Sequence, residues 1–218
     1  MATFAFDPEK AKIWANSVVS YLNGENNSIY ACSKKFDEQI EKIIDFKLWT
    51  GSAAAQNYQN FMDTHQALID FTNSFGNAFE EAMNSVNKNI ASLEISNLGS
   101  DTNVSSSFGE VMYNRISELS EMSVNKEKVK YVYDDIASIG SELSKIELTL
   151  EEVKENLKLK LEELNNGSEA WDGNAAERAQ ENLLNVVDTN MSVVSESLQI
   201  CISNISASAE AVRLADKA

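Results

Sequence analysis

The stretch Trp49-Thr50-Gly51-Ser52-Ala53-Ala54 has a counterpart in the same chain, Trp171-Asp172-Gly173-Asn174-Ala175-Ala176. Each copy lies between two long segments of helical periodicity, so each marks a sharp reversal of direction. An internal repeat of this kind constrains architecture before any single residue does. Here it predicts two helix-turn-helix hairpins in one polypeptide. Where a helix ends and the chain turns back, the reversal needs a residue without a Cβ penalty, which Gly51 and Gly173 supply. The Trp two positions earlier can bury apolar area over the hairpin tip. The small Ala pair then lets the next helix start close to its neighbour. As chemistry the motif is inert, and its Trp serves either as a tip-filler or as a recognition anchor.

Working outward, Asp7-Pro8-Glu9 is a helix start: an Asp N-cap, a Pro at N1 and an acid facing the positive end of the helix dipole. Trp14, Val18, Tyr21, Leu22, Ile29, Cys32, Phe36, Ile40 and Ile43 then recur mostly at three- and four-residue steps. That predicts one face of a long helix, loosened around Asn23–Ser28 and ending near Lys47. After the turn Ser52 is expected as N-cap. Ala54, Tyr58, Phe61, Leu68, Phe75, Phe79, Met83, Val86, Ile90 and Leu93 continue the stripe. Phe61, Phe71, Phe75 and Phe79 fall in this one helix, which predicts the thickest part of the core.

Turn formers from Ser96 onward break the pattern. The chain divides into a first hairpin at 1–97, a linker at 98–125 and a second hairpin at 126–218. The linker holds a short periodic segment, Phe108 to Met122, either a separate helix or the start of a longer one. From Val129 through Val132, Ile136, Ile139, Leu143, Ile146, Leu150, Val153 and Leu157 the steps alternate three and four, a coiled-coil-like seam. It continues to Leu161 and Leu164 and stops at Asn165-Asn166-Gly167-Ser168. Asn174 with Glu177 three residues on has the layout of a capping box. The last helix carries Ala179, Leu183, Val186, Val187, Val194, Leu198, Cys201, Ile205 and Val212, fraying near Leu214. Strand signals are weak. The predicted fold is all-α: two Trp-x-Gly hairpins forming an elongated four-helix bundle.

A single Pro among 218 residues agrees with long helices, since Pro costs about 3 kcal/mol inside one. The formal charge of −16, from 34 acidic and 18 basic residues, argues against nucleic acid and anionic lipid as partners. Met1–Pro8 has neither the basic start nor the apolar run of a secretory signal, and no apolar run approaches the roughly 20 residues that span a bilayer. Stable membrane insertion is therefore not expected.

No catalytic, cofactor-binding or metal-binding set emerges, and an enzyme is not expected. His65, the one histidine, lies among core-directed positions without evident companions for a metal site or a triad. The Glu-rich run at 151–155 and Glu162-Glu163 reads as a solvated helix face. Cys32 and Cys201 sit in apolar stripes as small hydrophobes, with a disulfide between them left open.

Helix, Trp-x-Gly and helix, with about forty residues per arm, resembles the WXG100 (ESAT-6-like) family of small proteins exported by type VII secretion. The likeness covers about residues 5–95 and 126–216, as if two members were fused. The first 120 residues, with the turn Leu48-Trp49-Thr50-Gly51, also resemble the LXG targeting domains of type VII toxins. The resemblance implies a non-enzymatic role. Such hairpins pair into four-helix bundles and are recognised by a membrane ATPase of the FtsK/SpoIIIE type. Further partners it implies are a toxin or another WXG-like helical protein. The implied location is outside the cell by type VII secretion without a signal peptide, or the cytoplasm before export.

The family's export signal joins the Trp-x-Gly turn to a Tyr-x-x-x-Asp/Glu motif at the partner's helical tail. Tyr131-x-x-x-Asp135 fits the pattern but stands near the start of the second hairpin, and Tyr21 with Glu25 fits within the first helix. The plainer reading of both is a Tyr and an acid one turn apart on a solvated helix. Family hairpins pair antiparallel, and a link of some thirty residues could just run the bundle's length. That length favours antiparallel hairpins with the two turns at opposite ends, while a toxin-type layout with a long third helix stays open. A toxin-linked version expects further sequence beyond Ala218. A cytosolic structural bundle with no export role is the remaining alternative.

Overall fold

The computed structural model describes residues 5–92, 130–166 and 170–215. In chain order the elements are β1 (Ala5–Phe6), α1 (Pro8–Asn23), α2 (Ile29–Asp45), β2 (Trp49–Thr50) and α3 (Ser52–Ser92). The second half supplies β3 (Lys130–Tyr131), α4 (Tyr133–Asn166), β4 (Trp171–Asp172) and α5 (Asn174–Ala215). The fold is an all-α bundle of two helical hairpins. The 98–125 linker, its periodic segment 108–122, Leu93 and Val129 lie outside the described residues, as do the side chains of Val86 and Ile90.

Local chemistry sets the ends of these helices. Asp7 is the N-cap of α1, its Oδ1 accepting from the backbone N–H of Glu9 at 3.0 Å and of Lys10 at 3.1 Å, with Pro8 at N1. The expected loosening at Asn23–Ser28 is a complete break. Gly24 donates its N–H to the carbonyl of Ser20, Asn27 has φ 48°, and Ser28 caps α2 by accepting from Ala31 N–H at 3.1 Å. α2 ends at Asp45, and Lys47 takes φ 48° on the way to the turn.

Gly51 and Gly173 adopt φ 107° and 114°, where a Cβ would be strained. The two capping expectations shift by one residue. Ser52 and Asn174 are the first helical residues, and the carbonyls that begin the ladders belong to Gly51 (from Ala55 N–H) and Gly173 (from Ala176 and Glu177 N–H). A glycine whose φ already turns the chain serves as the cap, so no side-chain cap is needed there.

α1 and α2 pack on α4, α4 on α5, α5 on α3, and α3 back on α2, leaving α3 and α4 across a diagonal. At 1.5 Å per residue the 34-residue α4 is about 51 Å long and the 42-residue α5 about 63 Å. The α4 seam from Ile136 to Leu164 is buried throughout, and so are Leu183, Val187, Met191, Val194, Leu198, Cys201 and Ile205 of α5. Each such side chain contributes about 1.5–3 kcal/mol by leaving water. The aromatic concentration in α3 is core as expected. Phe71, Phe75 and Phe79 run in sequence along it, Trp14 of α1 stacks on Phe79 at 5.7 Å, and Phe36 of α2 meets Phe61 edge-on at 6.2 Å.

The hairpins are antiparallel and hold each other reciprocally. Ala5 and Phe6 pair with Asp172 and Trp171, while Lys130 and Tyr131 pair with Thr50 and Trp49, both ladders antiparallel. Each ladder extends by one matching bond: Asp7 N–H to the Ala170 carbonyl at 3.0 Å, and Val132 N–H to the Leu48 carbonyl at 2.9 Å. The residues that precede each hairpin's first helix thus tie down the other hairpin's turn, in a pseudo-two-fold arrangement. The first arm, Ala5 to Trp49, is three residues longer than the second, Lys130 to Trp171. The break between α1 and α2 takes up the excess, because both ends are pinned by equivalent ladders while α4 runs unbroken.

Candidate functional site

Both Trp-x-Gly turns are closed by the opposite hairpin. Trp49 is 6% exposed and its ring meets Tyr131 edge-on, centroids 5.5 Å apart at 77°. Trp171 is 1% exposed beside the Phe6 backbone. The isolated hairpin would expose each indole, but the paired hairpin covers it. The indole N–H groups fare differently. Trp14 Nε1 donates to the Lys160 carbonyl at 2.8 Å, joining α1 to α4, whereas Trp171 Nε1 is buried with no acceptor among the described residues.

The structure brings Trp49, Gly51, Tyr131 and Asp135 to one end of the bundle and Trp171 and Gly173 to the other. Tyr131 is not on a helix. It is the second residue of β3, and Asp135 is the third residue of α4, exposed in its acidic first turn. The reading of this pair as one turn of a solvated helix is thereby corrected. The backbone donors that pair with Leu48 and Trp49 are held extended, and helix begins only after them. The half-buried Tyr131 hydroxyl donates to the Ile205 carbonyl on α5 at 3.4 Å. Burial, with the neighbouring Tyr133 phenol adding to it, pushes the Tyr131 phenol up to about 12. Tyr21 and Glu25 are separated by the end of α1 at Asn23, so that match does not form a single helical turn either.

His65 has a companion that its spacing did not reveal. Its ring, 2% exposed, places Nδ1 2.8 Å from Oδ1 of Asp37, joining α3 to α2 inside the first hairpin. Twenty-eight residues separate the two, and only the reversal at Gly51 brings them together. The pair ties α3 to α2. Cys32 and Cys201 are free and buried, and desolvation pushes each thiol up to about 11. Cys201 Sγ lies 3.4 Å from Thr64 Oγ1. No group of three potential metal ligands occurs among the described residues. Between α2 and α4 runs a groove of about 390 Å³, lined by Cys32, Lys35, Gln39, Glu142, Lys145 and Thr149. Its charges are of both signs and Lys145 is paired to Glu142, so no single ligand chemistry converges there.

Among the described residues no helix is long and apolar enough to cross a membrane. Comparison with protein-family models, curated proteins and solved structures yields no match to this chain.

Proposed function

We propose that this chain is a non-enzymatic type VII secretion substrate or export partner, in which two WXG100-like hairpins are fused so that one polypeptide does the work of a pair. The observation that carries the reading is the junction at Trp49. There the first turn, the Tyr131 ring and the exposed Asp135 carboxylate meet at one end of the bundle. The family signal takes its turn from one hairpin and its Tyr-x-x-x-acid from another. Here strand pairing joins the two from within a single chain. The partner is a membrane ATPase of the FtsK/SpoIIIE type, which would meet the folded bundle.

The closed core also bears on which partners fit. The apolar seams of α4 and α5 are covered by the first hairpin, so a further helical hairpin has no core seam left to fill. That favours the self-contained fusion over an export partner for a second WXG-like protein. A targeting or chaperone module for an LXG-type toxin stays as the variant reading. The burial of both tryptophans favours one reading of another class, a structural bundle whose turns are tip-fillers only.

The deciding experiment is export in the native host with the secretion ATPase present or deleted. It compares the wild-type chain with a Tyr131→Phe, Asp135→Asn variant, which keeps the ring against Trp49 and removes only the hydroxyl and the charge. ATPase-dependent appearance in the medium, lost in a variant that unfolds like the wild type, is the expected result. Retention of the wild-type chain in the cell with the ATPase present would leave the structural bundle.

A further inference from the structure

Beside the seam that closes the core, α5 carries a second line of apolar residues. Ala179, Val186, Val193 and Ile200 recur every seven residues on one flank of that helix. None of them belongs to the buried seam of Leu183, Val187, Met191, Val194, Leu198, Cys201 and Ile205. Ala179 and Val186 are half-buried against the core, whereas Val193 and Ile200 are 50% and 51% exposed. This flank runs along α3. A groove of about 230 Å³ between the two helices is lined by Ala78, Glu81 and Ala82 of α3 and by Ala175, Arg178 and Ala179 of α5. Further along, Thr64 Oγ1 meets Cys201 Sγ at 3.4 Å, which puts Asp63 at the level of Ile200. The two helices run antiparallel, so Asp70, seven residues on, stands at the level of Val193.

The charge beside this line is almost all of one sign. Asp63, Asp70 and Glu81 of α3 and Glu196 of α5 are exposed, and none of them is in an ion pair among the described residues. Asp63 and Asp70 accept only from the neutral amides of Gln59 and Gln66, each at 2.9 Å, so their charge stays uncompensated. Arg178 is the cation on this flank, at its Trp171 end. From Ser52 to Ser85, and throughout α5, there is no lysine. The lysines of α4 lie elsewhere on the bundle and are each held by a carboxylate: Lys145 by Glu142, Lys154 by Glu151, Lys158 by Asp188 and Lys160 by Glu163. An apolar line at heptad spacing with free carboxylates on both sides is complementary to one kind of surface. That surface is a helix with apolar residues at the same spacing and Lys or Arg on its flanks. A second copy of this chain, of charge −16, would set carboxylate against carboxylate here, and nucleic acid or anionic lipid would be repelled.

We infer that the α3–α5 flank is a docking surface for a basic amphipathic helix of another protein. The helix lies along Ala179, Val186, Val193 and Ile200, with Asp63, Asp70 and Glu81 on one side and Glu196 on the other. The contact runs over about 32 Å, about six helical turns. The core stays closed, because the partner adds to the outside of the bundle. The inference holds whether or not the chain is exported.

The test titrates the full chain into a fluorescein-labelled helical peptide of about six turns, with Leu at the heptad core positions and Lys on both flanks, read by anisotropy. The control is the same peptide with Glu in place of every Lys. The Lys peptide should bind and the Glu peptide should not. A Val193→Ser, Ile200→Ser variant should bind the Lys peptide at least about tenfold more weakly. An Asp63→Asn, Asp70→Asn variant should lose at least about threefold and show a shallower salt dependence. A Leu148→Ser, Leu159→Ser variant, which removes groups 73% and 59% exposed on α4, should lose less than about twofold. Equal binding of the two peptides, equal losses in the two apolar variants, or no binding of the Lys peptide would overturn the inference. So would binding that appears only after Phe108→Ser, Ile116→Ser and Leu119→Ser, since the occupant would then be the chain's own 98–125 segment. Self-association of the wild-type chain that Val193→Ser, Ile200→Ser abolishes would make the occupant a second copy, and overturns it too. Carbodiimide coupling on the wild-type complex decides the matter even if a variant misfolds. Peptide lysines should couple to Asp63, Asp70 or Glu196, and coupling confined to carboxylates of α4 refutes the inference.

Discussion

The two buried indole N–H groups allow the same chemical change to be made at two sites with opposite expectations. Trp14→Phe and Trp171→Phe each remove the same ring atoms from a side chain at most 3% exposed. The packing loss is therefore similar, about 1–2 kcal/mol from area and residual cavity. At Trp14 the change also deletes a 2.8 Å hydrogen bond to the Lys160 carbonyl, a further loss of about 1 kcal/mol. At Trp171 it deletes a donor that has no acceptor among the described residues, which relieves a desolvation penalty of about 1–3 kcal/mol. Trp14→Phe should thus destabilise by about 2–3 kcal/mol, and Trp171→Phe should lie near zero, a gap of about 2–4 kcal/mol. Urea unfolding followed by far-ultraviolet circular dichroism measures both without relying on the fluorophore that is changed. Equal destabilisation at the two sites would refute the reasoning, because Trp171 Nε1 must then find an acceptor in solution.

Two further outcomes follow from the turns and the thiols. Gly51→Ala and Gly173→Ala should each destabilise by about 1–3 kcal/mol, since φ near 110° is closed to a residue with a Cβ. Ser52→Ala, one position later and already helical, should change stability by well under 1 kcal/mol in the same unfolding assay. The thiols of Cys32 and Cys201 ionise near pH 9 in the unfolded chain and near 11 when folded. The unfolded state therefore loses these protons first. The stabilisation is complete below pH 9 and disappears as pH rises toward 11. The unfolding midpoint should fall between pH 8 and 10.5, and by less in a Cys32→Ala, Cys201→Ala variant. An identical fall in both proteins would remove the thiols from the account.

The repeat at 49–54 and 171–176, the helical stripes and the Asp7 cap were all legible in the sequence. So was the core. Of the apolar positions picked out in the described arms, the α4 seam from Ile136 to Leu164 is buried without exception, and Tyr21, Tyr58, Val132, Ala179, Val186 and Val212 are the partly exposed members. These features are local, because a 3.6-residue period and a turn glycine are written in consecutive residues. The antiparallel pairing of the hairpins was implied by the family resemblance, and the length of the link favoured it without deciding it.

What the tertiary structure alone decided is who meets whom at each turn. A two-residue strand has no alternation to read, so β1 to β4 left no trace in the periodicity. Tyr131 consequently read as helical until its backbone was seen paired with Trp49. Asp37 and His65, 28 residues apart, meet only once the first hairpin closes, and Trp14 and Lys160, 146 residues apart, only once the bundle closes. The exposure of Trp49 and Trp171 could not be read from one hairpin either, since the other hairpin supplies the surface that buries them. Sequence pattern specifies which face of each helix leaves water. Which residue of a distant segment arrives to cover a given turn is set by the sum of packing along about 50–60 Å of helix, and no local signal carries that sum.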